Sequence, residues 1–127
     1  MLLASVAALL VGCNNNSSLE GKWLYAGGSY NGKKEGGTQG YQLQRKYTDK
    51  NFEAFMLEDD GEPQKFQAGN YTLKGDTCLE TETFSTQPSK LSGVVIHYNY
   101  HIKNDTLTFK GKLPTGMQVE EYWTKMK

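Results

Sequence analysis

From Val94 to Lys103 every second residue is apolar or aromatic, which places Val94, Ile96, Tyr98, Tyr100 and Ile102 on one face. Val95, His97, Asn99, His101 and Lys103 fall on the other, the period of two that a half-buried strand shows. The same alternation sets Tyr41, Leu43, Arg45 and Tyr47 on one face, and likewise Phe52 with Ala54 and Met56, and Leu107 with Phe109. These positions are the expected core. Clusters of Gly, Asn, Asp, Ser and Pro interrupt the pattern at 31–37, 48–50, 58–63, 75–76, 86–92, 104–105 and 114–116. The segments between them predict eight strands, at 21–29, 40–47, 51–57, 64–74, 77–85, 93–103, 106–112 and 117–126.

Most of these connections are too short for a parallel crossover, so consecutive strands must be antiparallel neighbours. Such a meander leaves two raw edges and an uncovered apolar face, and no helix is predicted that could cover it. Closure removes both problems. The fold class expected is therefore all-β, an eight-stranded antiparallel up-and-down barrel, in which the first and last strands pair and bring the segment around Trp23 beside the segment around Trp123.

The first residues follow a different rule. Residues 1–12 form an apolar run too short for a permanent membrane span, which needs about twenty apolar residues, and read as a signal peptide. Leu10-Val11-Gly12-Cys13 resembles the bacterial lipobox, which implies that Cys13 is lipidated and becomes the first residue of the mature chain. Residues 14–18, Asn-Asn-Asn-Ser-Ser, have the composition of a flexible tether, and 19–127 make one barrel domain. No acidic residue follows the cysteine closely, so an outer-membrane anchor facing the periplasm is expected, with the membrane as the partner at Cys13.

Composition narrows the function classes. Lys plus Arg and Asp plus Glu both number 14, so no basic excess exists to neutralise a phosphate backbone, and nucleic acid is not an expected partner. With Cys13 lipidated, Cys78 has no disulfide partner and reads as a small buried apolar residue. No Gly-x-Ser-x-Gly, His-Glu-x-x-His or Cys-x-x-Cys motif is present, so no catalytic residues, metal site or cofactor are expected. A monomer is expected.

Gly21-Lys22-Trp23 resembles the Gly-x-Trp start of lipocalins, whose tryptophan plugs one end of the barrel. Together with Gly69-Asn-Tyr-Thr-Leu-Lys-Gly-Asp76 and Glu121-Tyr-Trp123, it is similar to the lipocalin-like lipoproteins of Bacteroidetes across essentially the whole mature chain. That resemblance implies a lipocalin-like barrel that binds a small molecule. No arginine follows Trp123, where lipocalins place one over the plugging tryptophan.

Five residues are candidate ligand contacts: Trp23, Tyr41, Arg45, Tyr98 and Tyr100. The tyrosines and tryptophan offer flat apolar surface with hydroxyls to orient a ligand, and plain core packing is the other reading. Arg45, the sole arginine, lies on an inward face, where it is an anion clamp, half of an ion pair with a glutamate such as Glu80 or Glu82, or a side chain that emerges at the barrel mouth. His97 and His101 stand about 13 Å apart along one strand, too far for one metal, and read as solvent-facing. The Gly-rich, two-lysine stretch at 27–37 reads as a rim loop, and Glu58-Asp59-Asp60-Gly61-Glu62 as a solvated turn. The function expected is a binding module for a small apolar or amphipathic ligand. The alternative is a solid barrel that acts as an inhibitor or accessory subunit, binding another envelope protein through its rim loops.

Overall fold

Nine strands run β1 (Gly21–Tyr30), β2 (Lys33–Glu35), β3 (Gln42–Tyr47), β4 (Asn51–Leu57), β5 (Gln64–Lys74), β6 (Thr77–Ser85), β7 (Val95–Lys103), β8 (Thr106–Lys112) and β9 (Gln118–Lys125) in a computed structural model. It describes residues 18–127, so the expected signal peptide, Cys13 and residues 14–17 lie outside the described residues. All pairings between strands are antiparallel, and no helix occurs among the described residues. The order β1-β3-β4-β5-β6-β7-β8-β9 closes on itself through β1–β9, giving an eight-stranded barrel. Tyr25 lies opposite Trp123, and Trp23 opposite Lys125, so the two ends of the meander meet as closure demands.

β2 is additional. It folds back onto the second half of β1, pairing Gly28, Ser29 and Tyr30 with Glu35, Lys34 and Lys33. Asn31 and Gly32 both take positive φ, 53° and 84°, the geometry of a two-residue hairpin turn. The segment expected to be a plain rim loop is therefore partly a hairpin.

The two ends of the barrel differ. At one, the three turns 48–50, 75–76 and 104–105 are short, and Leu19, Trp23 and Leu107 are at most 1% exposed. The Trp23 indole donates to the Leu19 carbonyl at 2.9 Å, and the Tyr71 hydroxyl donates to the Thr48 carbonyl at 2.5 Å. This closed pole is solid. At the other end, the mouth, the longer connections 31–41, 58–63, 86–94 and 113–117 gather. Loops held by a rigid scaffold are where binding surfaces are usually built.

Alternation places the core as expected, with one correction. Phe52, Ala54, Leu107 and Phe109 are buried and face inward, and Tyr47 joins them. Tyr41, expected on the core face, is 39% exposed and precedes β3, because Gly40 turns the chain at φ 83° and the Thr38 hydroxyl bonds the Tyr41 carbonyl.

Two close approaches explain glycines inside strands. A Cβ on Gly69 would lie 2.0 Å from the Thr81 carbonyl oxygen and 2.8 Å from Phe52 Cε1. A Cβ on Gly111, opposite Tyr98 in register, would lie 2.8 Å from that tyrosine's ring. Both positions must stay bare for inward aromatic rings to fit.

Candidate functional site in the barrel interior

Halfway along the barrel the inward residues are no longer apolar. β6 contributes Cys78, Glu80 and Glu82 at the strand period of two, β5 Gln67, β3 Arg45 and Tyr47, and β9 Glu121. Arg45 Nη1 donates to Glu80 Oε1 at 3.0 Å and Oε2 at 2.8 Å, and to the Tyr47 hydroxyl at 2.6 Å, while Nη2 donates to Gln67 Oε1 at 3.3 Å. The Tyr47 hydroxyl in turn donates to Glu80 Oε2 at 2.9 Å. Aromatic rings surround the cation: the guanidinium carbon is 4.6 Å from the Phe52 ring centroid and 5.6 Å from that of Trp123. Arg45 is thus half of an ion pair with Glu80, one of the roles its position allowed.

Burial works against the Arg45 charge, yet Glu80 beside it holds its pKa well above the ordinary arginine value. Tyr47 is pushed up by burial, with Arg45 opposing. The Cys78 thiol, also buried, is pushed up by desolvation and by Glu80. It packs in the core as expected.

Toward the mouth two more carboxylates face inward. Glu82, 7% exposed, accepts from Gln67 Nε2 at 2.7 Å and from the Ser92 hydroxyl at 3.2 Å. Glu121 accepts from the Tyr30 hydroxyl at 2.9 Å and from the Trp123 indole at 3.3 Å, and Tyr30 shares a 2.6 Å bond with the Tyr25 hydroxyl. Every donor to Glu82 and Glu121 here is neutral. The interior of the described barrel therefore holds Arg45 against Glu80, Glu82 and Glu121.

Tyr98 stands apart from this network. Its ring packs on Phe109 at 5.2 Å, and burial together with Glu80 raises its pKa. Its hydroxyl, unlike those of Tyr25, Tyr30, Tyr47 and Tyr71, makes no hydrogen bond among the described residues. Beyond it toward the mouth the inward wall alternates buried residues, Ile96, Glu82 and Val119, with half-buried ones, Leu43, Met56, Gln67 and Val94.

The other candidates separate. Trp23 belongs to the closed pole, where Lys125 Nζ lies 5.0 Å from its ring centroid. A lysine of β9 thus covers the plugging tryptophan, although no arginine follows Trp123. Tyr100, opposite Phe109, packs against the core. Tyr41 lines an open cleft of about 520 Å³ with Thr38, Gln42, Leu57 and Asp59, outside the barrel wall. His97 and His101 are exposed, and no metal-binding cluster occurs among the described residues. Of the inward carboxyl groups only Glu121 was not anticipated, and alternation with Trp123 could have flagged it, since polar residues at inward positions of a barrel need partners.

No family model and no curated protein matches the chain. Among solved structures it is similar to a lipocalin-like protein from Bacteroides uniformis, with a TM-score of 0.59 and 20% sequence identity. The match covers 85% of this chain and 98% of that one. The eight-stranded closed barrel with a tryptophan-plugged end is accordingly a lipocalin-like fold.

Proposed function

We propose that this chain is an envelope lipoprotein of the lipocalin-like kind found in Bacteroidetes. Residues 1–12 export it, and lipid on Cys13 holds it in the outer membrane, facing the periplasm. Its barrel binds a small amphipathic molecule in the open half and catalyses no reaction. The observation that carries this reading is Tyr98, which faces inward and is half-buried, and whose hydroxyl has no hydrogen-bond partner among the described residues. A ligand group beside it would supply that bond, while Leu43, Met56 and Val94 offer apolar surface toward the mouth.

Charge refines the ligand class. Arg45 is already paired with Glu80, so it is not free to clamp an anion, and Glu82 and Glu121 add two more inward carboxyl groups whose hydrogen-bond donors are neutral. A neutral or amine head group suits this interior; a carboxylate does not.

Titration with dodecylamine and dodecanoate, read by Trp123 fluorescence beside the site, tests this reading. The amine should bind at least about tenfold more tightly, a difference of about 1.4 kcal/mol. Absence of any response to either, with no co-purifying small molecule by native mass spectrometry, would remove the carrier reading.

A second reading has its own support. The large apolar side chains most exposed in the barrel, Tyr41, Phe84, Val95 and Met117, all lie toward the mouth. A rim of this kind suits docking of another envelope protein, the accessory role.

A further inference from the structure

We propose that the closed pole of the barrel is the surface that rests on the anchoring bilayer, so that the mouth opens away from it. This rests on lipidation of Cys13 as read above. Leu19 is pinned at the closed pole: it is 0% exposed, its carbonyl accepts the Trp23 indole, and Lys125 Nζ bonds the neighbouring Glu20 carbonyl at 3.1 Å. From Cys13 to Leu19 a fully extended chain spans at most about 20 Å. The ten residues of β1, tilted as barrel strands are, carry the wall roughly 25 Å along the axis to the mouth. Turning the mouth onto the bilayer would lift Leu19 beyond the reach of that chain.

Charge decides between an upright barrel and one lying on its side. The turns and strand ends of the closed pole carry seven lysines, at 22, 46, 50, 74, 103, 125 and 127, against the four carboxylates of Glu20, Asp49, Asp76 and Asp105. The loops and strand ends of the mouth carry five, Lys33, Lys34, Lys65, Lys90 and Lys112, against five carboxylates, at 35, 58, 59, 60 and 62. Lys22 and Lys46 stand opposite each other in the β1–β3 register, a like-charge pair that Glu53, opposite Lys46 on β4, offsets only from one side. Anionic lipid head groups beneath that pair relieve the repulsion and draw the pole down. A ligand then reaches the mouth from the aqueous side and not from the membrane that holds the anchor.

The test uses the full-length lipidated protein in vesicles of phosphatidylethanolamine and phosphatidylglycerol, about three to one so that the surface is anionic. A fluorophore is placed on Asp76→Cys at the closed pole or on Thr115→Cys at the mouth; the native Cys78 is buried and does not compete. A head-group quencher should dim the label at 76 several-fold more than the label at 115. High salt, or Lys22→Glu with Lys46→Glu, should narrow that difference. Equal quenching, stronger quenching at 115, or a difference indifferent to salt and charge reversal overturns the proposal. Failure of the protein to float with vesicles overturns the anchor instead, and the orientation with it.

Discussion

Arg45 and Glu80 form a two-oxygen ion pair inside the barrel, with Nη1 2.8 Å from Oε2 and side chains only 12% and 5% exposed. Removing one partner of such a pair leaves a buried charge without compensation. Glu80→Gln should cost about 3–5 kcal/mol of stability, and Arg45→Met combined with Glu80→Leu should recover most of it. Urea unfolding of the parent and the two variants checks this, and a single mutant as stable as the parent would show that the pair is not isolated from water.

Tyr98 and Tyr47 make opposite predictions from the same substitution. Tyr98→Phe removes a hydroxyl without a partner among the described residues and should change stability by less than about 0.5 kcal/mol while weakening dodecylamine binding. Tyr47→Phe strips hydrogen bonds from both Arg45 and Glu80 and should cost about 1.5–3 kcal/mol. Calorimetric melting separates the two. A strongly destabilised Tyr98→Phe would mean that its hydroxyl supports the fold.

Gly69→Ala should prevent the barrel from closing normally, since the new methyl would stand 2.0 Å from the Thr81 oxygen. Backbone cannot yield cheaply there, so a loss of more than about 3 kcal/mol is expected. Gly61→Ala, with open space at its Cβ position, is the control and should melt like the parent. Comparable melting of the two variants would disprove the close β5–β6 approach.

Alkaline pH should unfold the domain early. Burial pushes Tyr71 up to about 12 and raises Tyr47, Tyr98 and the Cys78 thiol above their ordinary values of 10.0 and 9.0. Below about pH 8 folded and unfolded chains both keep these protons, so their contribution to stability is complete. Between about pH 8 and 12 the unfolded chain releases them first, the thiol before the tyrosines, and stability falls as pH rises. The urea midpoint should therefore drop steadily from pH 8 upward, with part of the tyrosinate absorbance appearing only on unfolding. A flat midpoint over that range would contradict the burial of these hydroxyls.

Much of the architecture was legible because alternation and turn residues act locally. The segments read at 51–57, 64–74, 77–85 and 106–112 coincide with β4, β5, β6 and β8, each bounded by Gly, Asn, Asp or Pro. β2 was not legible from alternation, since Lys33, Lys34 and Glu35 are all exposed. Its signal was the Asn31-Gly32 dipeptide, which favours a hairpin turn even between charged arms. Tyr41 misled for a related reason, because a period of two continues by chance into a loop whose path is set by Gly40. The site was half legible. Arg45 and the possible partner Glu80 followed from inward position, but the convergence of Tyr30 with Glu121, 91 residues apart, depends on strand register that only closure fixes.

The way β1 divides its partners has a mechanical consequence. Its first half is zipped to β3 and its second half to β2, so Gln42 and Leu43 have a ladder neighbour only in β4. The wall thus carries a slit on the side where Tyr41 sits, like a cuff left unbuttoned near the hem. Deuterium should enter the backbone amides around that slit well before it reaches those of the fully laced β5–β6 pair.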